Sequence, residues 1–158
     1  MESNYISGVR HVGLVCSNID SSIVFYESLG FVLENAPLEE SGKIAETVVG
    51  IKNVVYKTVK MHLANDENTM WRESGFRLEL VEYINPKSNL RRDFDNNLIG
   101  RVHLCFSIKD LDATVKQAKL HGAYVPFNST FDVTQKMKHI YIFDPDKNPL
   151  ELVEKIVD

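Results

Sequence analysis

The sequence predicts an α+β protein made of two similar halves, each with a strand, a helix and further strands. Its 158 residues are 44% apolar and 25% charged, the composition of a globular protein with a buried core. A shift of 92 positions places His11 on His103 and Gly30 on Gly122 without a gap. A shift of 72 positions superimposes two identical pentapeptides, LELVE, at residues 78–82 and 150–154. Two ordered matches in each half indicate an internal repeat.

In the first half, the β-forming residues 9–16 predict a strand. Asn18 offers an N-cap to a helix whose apolar residues recur at helical spacing, and Gly30 ends that helix because glycine tolerates a left-handed conformation. Residues 37–50 fit neither a helix nor a strand pattern, and residues 65–75 form an extra middle segment. Further strands are predicted at 31–34, 54–63 and 76–83.

The second half repeats this order. Asp110 or Asp112 caps a helix that ends at Gly122. The turn-forming run at 144–149 predicts a hairpin. Further strands are predicted at 123–127, 138–143 and 150–153. We therefore expect a single domain over residues 1–158, with repeats at about 6–84 and 100–156 and a polar linker at 85–99.

Composition also limits the function. A net charge of −4 and a pI near 5.7 argue against a general nucleic-acid binder. No apolar run approaches the roughly 20 residues needed to span a bilayer, which argues against a membrane protein. Cys16 and Cys105 do not form a CxxC pair and indicate buried thiols in a reducing compartment, so we expect a cytoplasmic protein.

Four polar side chains interrupt apolar strands in a repeated pattern. Neighbouring residues in a strand point to opposite faces, so Leu78 and Leu80 share one face and Glu79 points to the other. The same alternation isolates one further glutamate and two histidines. If each half forms a curved sheet, one His and one Glu from each half could converge: His11, Glu79, His103 and Glu151. Each alone would be ordinary, but the symmetrical placement favours a common site.

The four side chains form a coherent ligand set for a metal ion. Neutral imidazole and carboxylate together suit a borderline divalent ion, with room for two waters in six-coordination. The sequence leaves the ion open among Zn, Ni, Co, Mn and Fe. Four further residues are candidate substrate contacts because of the strand faces they occupy: His62, His139, Tyr141 and Arg101. Glu82 and Glu154 lie near strand ends and are expected at the rim.

The sequence resembles the vicinal oxygen chelate superfamily, which includes glyoxalase I, methylmalonyl-CoA epimerase, extradiol dioxygenases and the fosfomycin- and bleomycin-resistance proteins. The motifs that carry this resemblance are VRHVGL at 9–14, LELVEY at 78–83, VHLCF at 102–106 and DPDKNPLEL at 144–152. The resemblance implies two βαβββ modules whose eight strands form a curved sheet, a cup around a divalent metal. Its metal positions fall on the same four residues. The usual glycine of the final turn is Lys147 here.

The resemblance implies an enzyme that moves a proton next to a metal-chelated carbonyl, a lyase or isomerase of the glyoxalase or epimerase type. Metal-bound Glu151 or Glu79 would be the base, and the sequence does not rank them. An Fe(II)-dependent dioxygenase and a non-enzymatic small-molecule binding or resistance protein are the alternatives. A small-molecule substrate and a homodimer are expected, with the site formed within one chain or shared across the dimer.

Overall fold

The computed structural model describes residues 9–64, 76–88, 94 and 96–156. The chain divides into two compact units, Met1–Ser88 and Asn89–Asp158, called unit 1 and unit 2 below. Each unit contains its own sheet and at least one helix, which confirms the predicted α+β class. In the described part of the chain, no helix is long and apolar enough to cross a membrane.

Unit 1 is a five-stranded sheet with two helices. Its elements are β1 (Val12–Val15), α1 (Ile19–Ser28), β2 (Phe31–Leu33), β3 (Leu38–Ser41), α2 (Gly42–Val49), β4 (Val55–Leu63) and β5 (Arg77–Asn85). The strand order is β1-β5-β4-β2, and β3 also pairs with β4. Strand β1 runs parallel to β5, whereas the other pairs are antiparallel.

Unit 2 is a four-stranded sheet with one helix. Its elements are β6 (Leu104–Ile108), α3 (Leu111–Leu120), β7 (Thr130–Asp132), β8 (Met137–Phe143) and β9 (Pro149–Lys155). The strand order is β6-β9-β8-β7, with β6 parallel to β9. Gly13 pairs with Glu79 in unit 1 and Cys105 pairs with Glu151 in unit 2, so the two parallel pairs have the same register.

The two repeated helices, α1 and α3, begin and end as the sequence predicts. The Asn18 side chain accepts a hydrogen bond from the backbone of Ser21 at 2.8 Å and thereby caps α1. Of the two candidates for α3, Asp110 is the N-cap. Gly30 and Gly122 both have φ +96°, a conformation that is strained for other residues, which explains why both repeats place glycine there.

The main core of each unit lies between its repeated helix, α1 or α3, and one face of its sheet, and α2 of unit 1 covers a smaller apolar cluster around Ala45, Val54 and Tyr56. In unit 1, Leu78 and Leu80 are fully buried, as are Phe25 and Tyr26 of α1. In unit 2, the equivalent leucines of β9 are buried, together with Leu111 of α3. Leu residues of the repeated pentapeptide therefore build the core, and the intervening glutamate is left on the opposite face.

The sequence predicted that the last glutamate of each pentapeptide, Glu82 or Glu154, lies at the rim. The structure shows instead that each accepts a hydrogen bond from the start of a helix. Glu82 is buried, and its Oε2 accepts a hydrogen bond from the backbone of Ile19, the first residue of α1, at 2.9 Å. Glu154 Oε2 accepts the equivalent bond from Leu111 of α3 at 3.1 Å. A carboxylate is stabilised at this position because unpaired N–H groups and the helix dipole meet there.

The two units differ in the segments that pair with β4 in unit 1 and with β8 in unit 2. The ambiguous residues 37–50 contain β3 and α2, and the described part of the chain therefore has nine strands where eight were expected. The strand predicted at 123–127 is reduced to one bridge between Tyr124 and Phe143, and pairing resumes at β7. The predicted middle segment 65–75 and residues 89–93 and 95 of the predicted linker lie outside the described residues.

Candidate functional site

In unit 1, the predicted histidine and glutamate are in contact. His11 Nε2 lies 3.1 Å from Glu79 Oε2, and both side chains are partly exposed. Lys60 faces Glu79 across the β4–β5 ladder, and its Nζ lies 3.5 Å from Glu79 Oε1. The carboxylate is thus held between an imidazole and an ammonium group on the sheet face opposite α1.

In unit 2, the equivalent pair is surrounded by different neighbours. His103 Nε2 lies 3.4 Å from Glu151 Oε2, and His139 Nδ1 lies 3.5 Å from Glu151 Oε1. Tyr141 occupies the ladder position opposite Glu151 and donates a hydrogen bond to Oε2 at 3.3 Å. Two of the predicted substrate contacts therefore lie against a predicted metal ligand, and both carboxylate oxygens of Glu151 have neighbours.

Two side chains beside Glu151, Tyr141 and Cys105, have raised pKa values. Burial, followed by the negative charge of Glu151, raises the pKa of the Tyr141 hydroxyl, so this group is a hydrogen-bond donor at neutral pH. Cys16 is buried as predicted, but Cys105 is exposed, which corrects the prediction that both thiols are buried. Partial desolvation and the negative charge of Glu151 still raise the pKa of the Cys105 thiol. A thiol that stays protonated is a poor nucleophile, so Cys105 has little of the reactivity of a catalytic cysteine.

The two His–Glu pairs fit a divalent metal ion in donor type and spacing. Two ligand atoms bound at about 2.1 Å and at right angles to each other are about 3 Å apart. The His11–Glu79 and His103–Glu151 separations of 3.1 and 3.4 Å are close to this value. Within the described ranges, however, no group of three or more His, Cys, Asp or Glu side chains is arranged to hold a metal.

A pocket of about 260 Å³ opens beside His11 in unit 1. Its polar lining includes three cationic residues, Arg10, Lys60 and Arg77, and two acidic residues, Glu34 and Glu40. None of these five residues was a predicted site residue. Lys60 can be recognised only from the strand register, because the β4–β5 pairing places it opposite Glu79.

The other two candidate substrate contacts have structural partners. His62 Nδ1 lies 3.7 Å from Glu34 Oε1, which also forms a 2.6 Å ion pair with the buried Arg77. His62 is not part of the pocket lining. In unit 2, Arg101 Nη2 donates to the backbone oxygen of Lys147 at 2.5 Å, and its guanidinium lies over the ring of Phe143.

The fold and the paired side chains define a class of protein: two related α+β units, each presenting one His–Glu pair on the sheet face opposite its repeated helix, α1 or α3. The family model of the Glyoxalase/Bleomycin resistance protein/Dioxygenase superfamily matches residues 8–152. The chain belongs to this superfamily, as the sequence motifs predicted.

The chain is also similar to individual proteins over nearly its whole length. The chain is 26% identical over 152 residues to the uncharacterized protein YwkD of Bacillus subtilis (strain 168), covering 95% of this chain and 98% of YwkD. A glyoxalase family protein from Bacillus cereus has a TM-score of 0.82 at 21% identity, with 99% of both chains covered.

Two solved structures with named activities are more distant. The fosfomycin resistance protein FosX from Listeria monocytogenes has a TM-score of 0.61 at 16% identity, with 96% of both chains covered. A glyoxalase I variant from Zea mays has a TM-score of 0.62 at 17% identity, covering 92% of this chain and 46% of that one. These likenesses show the fold.

Proposed function

We propose that the protein is a divalent-metal-dependent lyase or isomerase that moves a proton at the carbon next to a substrate carbonyl. The observation that carries this proposal is the repeated contact between imidazole and carboxylate, at 3.1 Å in unit 1 and 3.4 Å in unit 2. The pairs occupy equivalent positions in the two sheets, on the face opposite α1 in unit 1 and opposite α3 in unit 2. Proton transfer without redox chemistry is compatible with a ligand set that contains two carboxylates.

The proposed ligands are all four side chains of the two pairs: His11, Glu79, His103 and Glu151. When bound, the ion (Zn, Ni, Co, Mn or Fe) would polarise the carbonyl and stabilise the negative charge that develops on its oxygen. The residues that hold the ion would also fix the positions of the two carboxylates relative to the substrate carbon.

Glu151 is the proposed general base, with Glu79 as the equivalent group of the other unit. Tyr141 donates a hydrogen bond to Glu151 Oε2, and His139 lies beside Oε1, so the orientation of this carboxylate is fixed by two neighbours. Glu79 instead faces the ammonium group of Lys60. A base whose oxygens are oriented can accept a proton at one defined position.

The proposal is tested by combining metal analysis with two activity measurements. Metal content is measured in protein purified without chelator. Exchange of solvent deuterium into α-hydroxy-carbonyl compounds and 2-methylacyl thioesters is then followed beside oxygen consumption with catechols. Metal-dependent exchange without oxygen uptake supports the proposal. Oxygen uptake would favour the dioxygenase class, and metal-free protein that binds these compounds without exchange would favour a binding or resistance protein.

Replacing the proposed base provides the sharpest test. Glu151→Gln keeps the shape of the side chain but removes its ability to accept a proton, so we expect deuterium exchange to fall by about 10²-fold or more. Glu39→Gln is the matched control, because Glu39 is exposed on β3 and lies outside the site. Full exchange by Glu151→Gln, with unchanged circular dichroism, would remove Glu151 from the mechanism.

We also propose a reducing, cytoplasmic setting, a small-molecule substrate and a homodimer. The setting is supported by Cys16 and Cys105, which are both free thiols. The size of the pocket in unit 1 supports a small molecule. Sedimentation equilibrium of the full chain tests the dimer, and a monomer at micromolar concentration would contradict it.

A further inference from the structure

The charged side chains around the unit 1 pocket are not equally available to a ligand. Glu34 is engaged by the buried Arg77 through the 2.6 Å ion pair. Glu40 accepts hydrogen bonds from the Tyr56 hydroxyl at 3.0 Å and from the Thr58 hydroxyl at 3.4 Å. Both acidic groups of the lining are therefore already paired, and so is one of its three cations.

Lys60 and Arg10 are the cations that remain. The 3.5 Å separation between Lys60 Nζ and Glu79 is longer than the 2.7–2.9 Å of a charge-assisted hydrogen bond, and an ammonium group has three donors. Arg10 is exposed, and among the described residues it forms no ion pair. The lining thus carries three cations against two carboxylates, and Lys60 keeps donors for a ligand beside its ion pair with Glu79.

This charge is specific to unit 1. Lys60 pairs with Glu79 in the β4–β5 ladder, and the equivalent position opposite Glu151 in the β8–β9 ladder is Tyr141. A residue needed only to support the glutamate could be the same in both units. The lysine therefore points to a second role, directed at the pocket that it lines together with His11.

The size of the pocket restricts what could fill it. Pockets for drug-sized ligands have volumes of about 300–1,000 Å³. The volume of about 260 Å³ lies just below that range. A compact molecule with a few polar groups fits such a space better than a large conjugate does.

We propose that Lys60 is a specificity-determining residue, which selects a small substrate bearing an anionic oxygen group, a carboxylate, that enters the unit 1 pocket. This inference rests on the proposed function, because it assigns a substrate class to the same site.

The experiment compares glycolate with glycolamide, two compounds of the same shape that differ in charge. Their affinities are measured by titration calorimetry or ligand-observed NMR on zinc-treated and on EDTA-treated protein. We expect wild type to prefer glycolate by about tenfold or more, since an ammonium group attracts the carboxylate alone. Lys60→Met should bring the ratio close to one in EDTA-treated protein, and Lys60→Arg should restore it.

Lys57→Met is the matched control. Lys57 lies on the same strand but on the opposite face, so its loss should leave the ratio unchanged. A glycolate preference that persists in Lys60→Met, or its absence in wild type, overturns the inference. Failure to bind zinc would contradict the proposed function instead, and the ratio in EDTA-treated protein still decides the role of Lys60.

Discussion

Glu79 and Glu151 occupy equivalent positions in the two repeats, yet their neighbours differ in charge. Glu79 contacts a histidine and Lys60, whereas Glu151 contacts two histidines and the hydroxyl of Tyr141. Because an ion pair and a neutral hydrogen bond stabilise a carboxylate differently, the two glutamates are not interchangeable. The repeat preserves the ligands and varies the residues around them.

Cys105 reports on the charge of Glu151. Partial desolvation and that negative charge raise the pKa of its thiol, so a smaller fraction is thiolate at pH 8 than in a free cysteine. We expect slow alkylation of Cys105 by iodoacetamide in EDTA-treated protein. Glu151→Gln removes the charge, lowers the thiol pKa and should accelerate the reaction by about twofold or more, since desolvation, the larger cause, remains.

The rates are measured by mass spectrometry, which separates Cys105 from the buried Cys16. Glu39→Gln is again the control, because its carboxylate lies on the other unit. Equal alkylation rates in wild type and Glu151→Gln across pH 7–9 would show that Glu151 does not influence the thiol.

At the scale of the elements, the pentapeptide LELVE combines three roles in five residues. Its two leucines enter the core, its first glutamate enters the candidate site, and its second glutamate accepts a hydrogen bond from the helix start. Strand alternation predicts the first two roles from the sequence alone. The third depends on the position of α1 or α3 above the sheet, which the sequence does not contain.

Replacing Glu82 should destabilise unit 1 without affecting metal binding. Its buried carboxylate accepts the Ile19 N–H at 2.9 Å and lies 3.3 Å from Lys87 Nζ. Because a buried hydrogen bond to a charged group contributes about 1.5–3 kcal/mol, we expect Glu82→Gln to lower the free energy of unfolding by about 1–2 kcal/mol. Urea unfolding followed by circular dichroism provides the measurement.

Glu154→Gln is the matched variant in unit 2, where the equivalent hydrogen bond is longer, at 3.1 Å, and its carboxylate more exposed. We expect a smaller loss there. If Glu82→Gln were as stable as the exposed-site variant Glu39→Gln, the interaction with the start of α1 would have no stabilising role.

At the scale of the whole molecule, the internal repeat made most of the fold predictable. Both helices of the repeat, their caps and the strands that precede them follow from patterns that occur twice. The helix α2 and the strand β3 occur once, in residues that fit neither pattern, so no second copy clarified them. The predicted strand at 123–127 failed because pairing with β8 is broken after Tyr124 and resumes only at β7.

The candidate site was predictable where it depends on single strands, and it was not predictable where it depends on the register between strands. Alternation along single strands selected His11, Glu79, His103 and Glu151, and each unit brings its own pair together. The neighbours Lys60 and Tyr141 depend on the register between strands, which is a long-range property. That Lys60 lies opposite a glutamate therefore became visible only when the ladder was known.

The two pairs lead to a prediction about the molecule as a whole. If one divalent ion is held by all four ligands, as we propose, loss of either histidine removes one of four equivalent bonds. His11→Gln and His103→Gln should then each weaken zinc binding by a similar factor, of about 100-fold or more, given that the loss of outer-shell partners alone costs 10–100-fold. Competition with a chelating dye measures both affinities.

His121→Gln is the control, because that side chain forms a hydrogen bond with the backbone oxygen of Gln117 at the end of α3. A large effect in one unit with none in the other would mean that a single His–Glu pair binds the ion and that the repeat does not extend to metal binding.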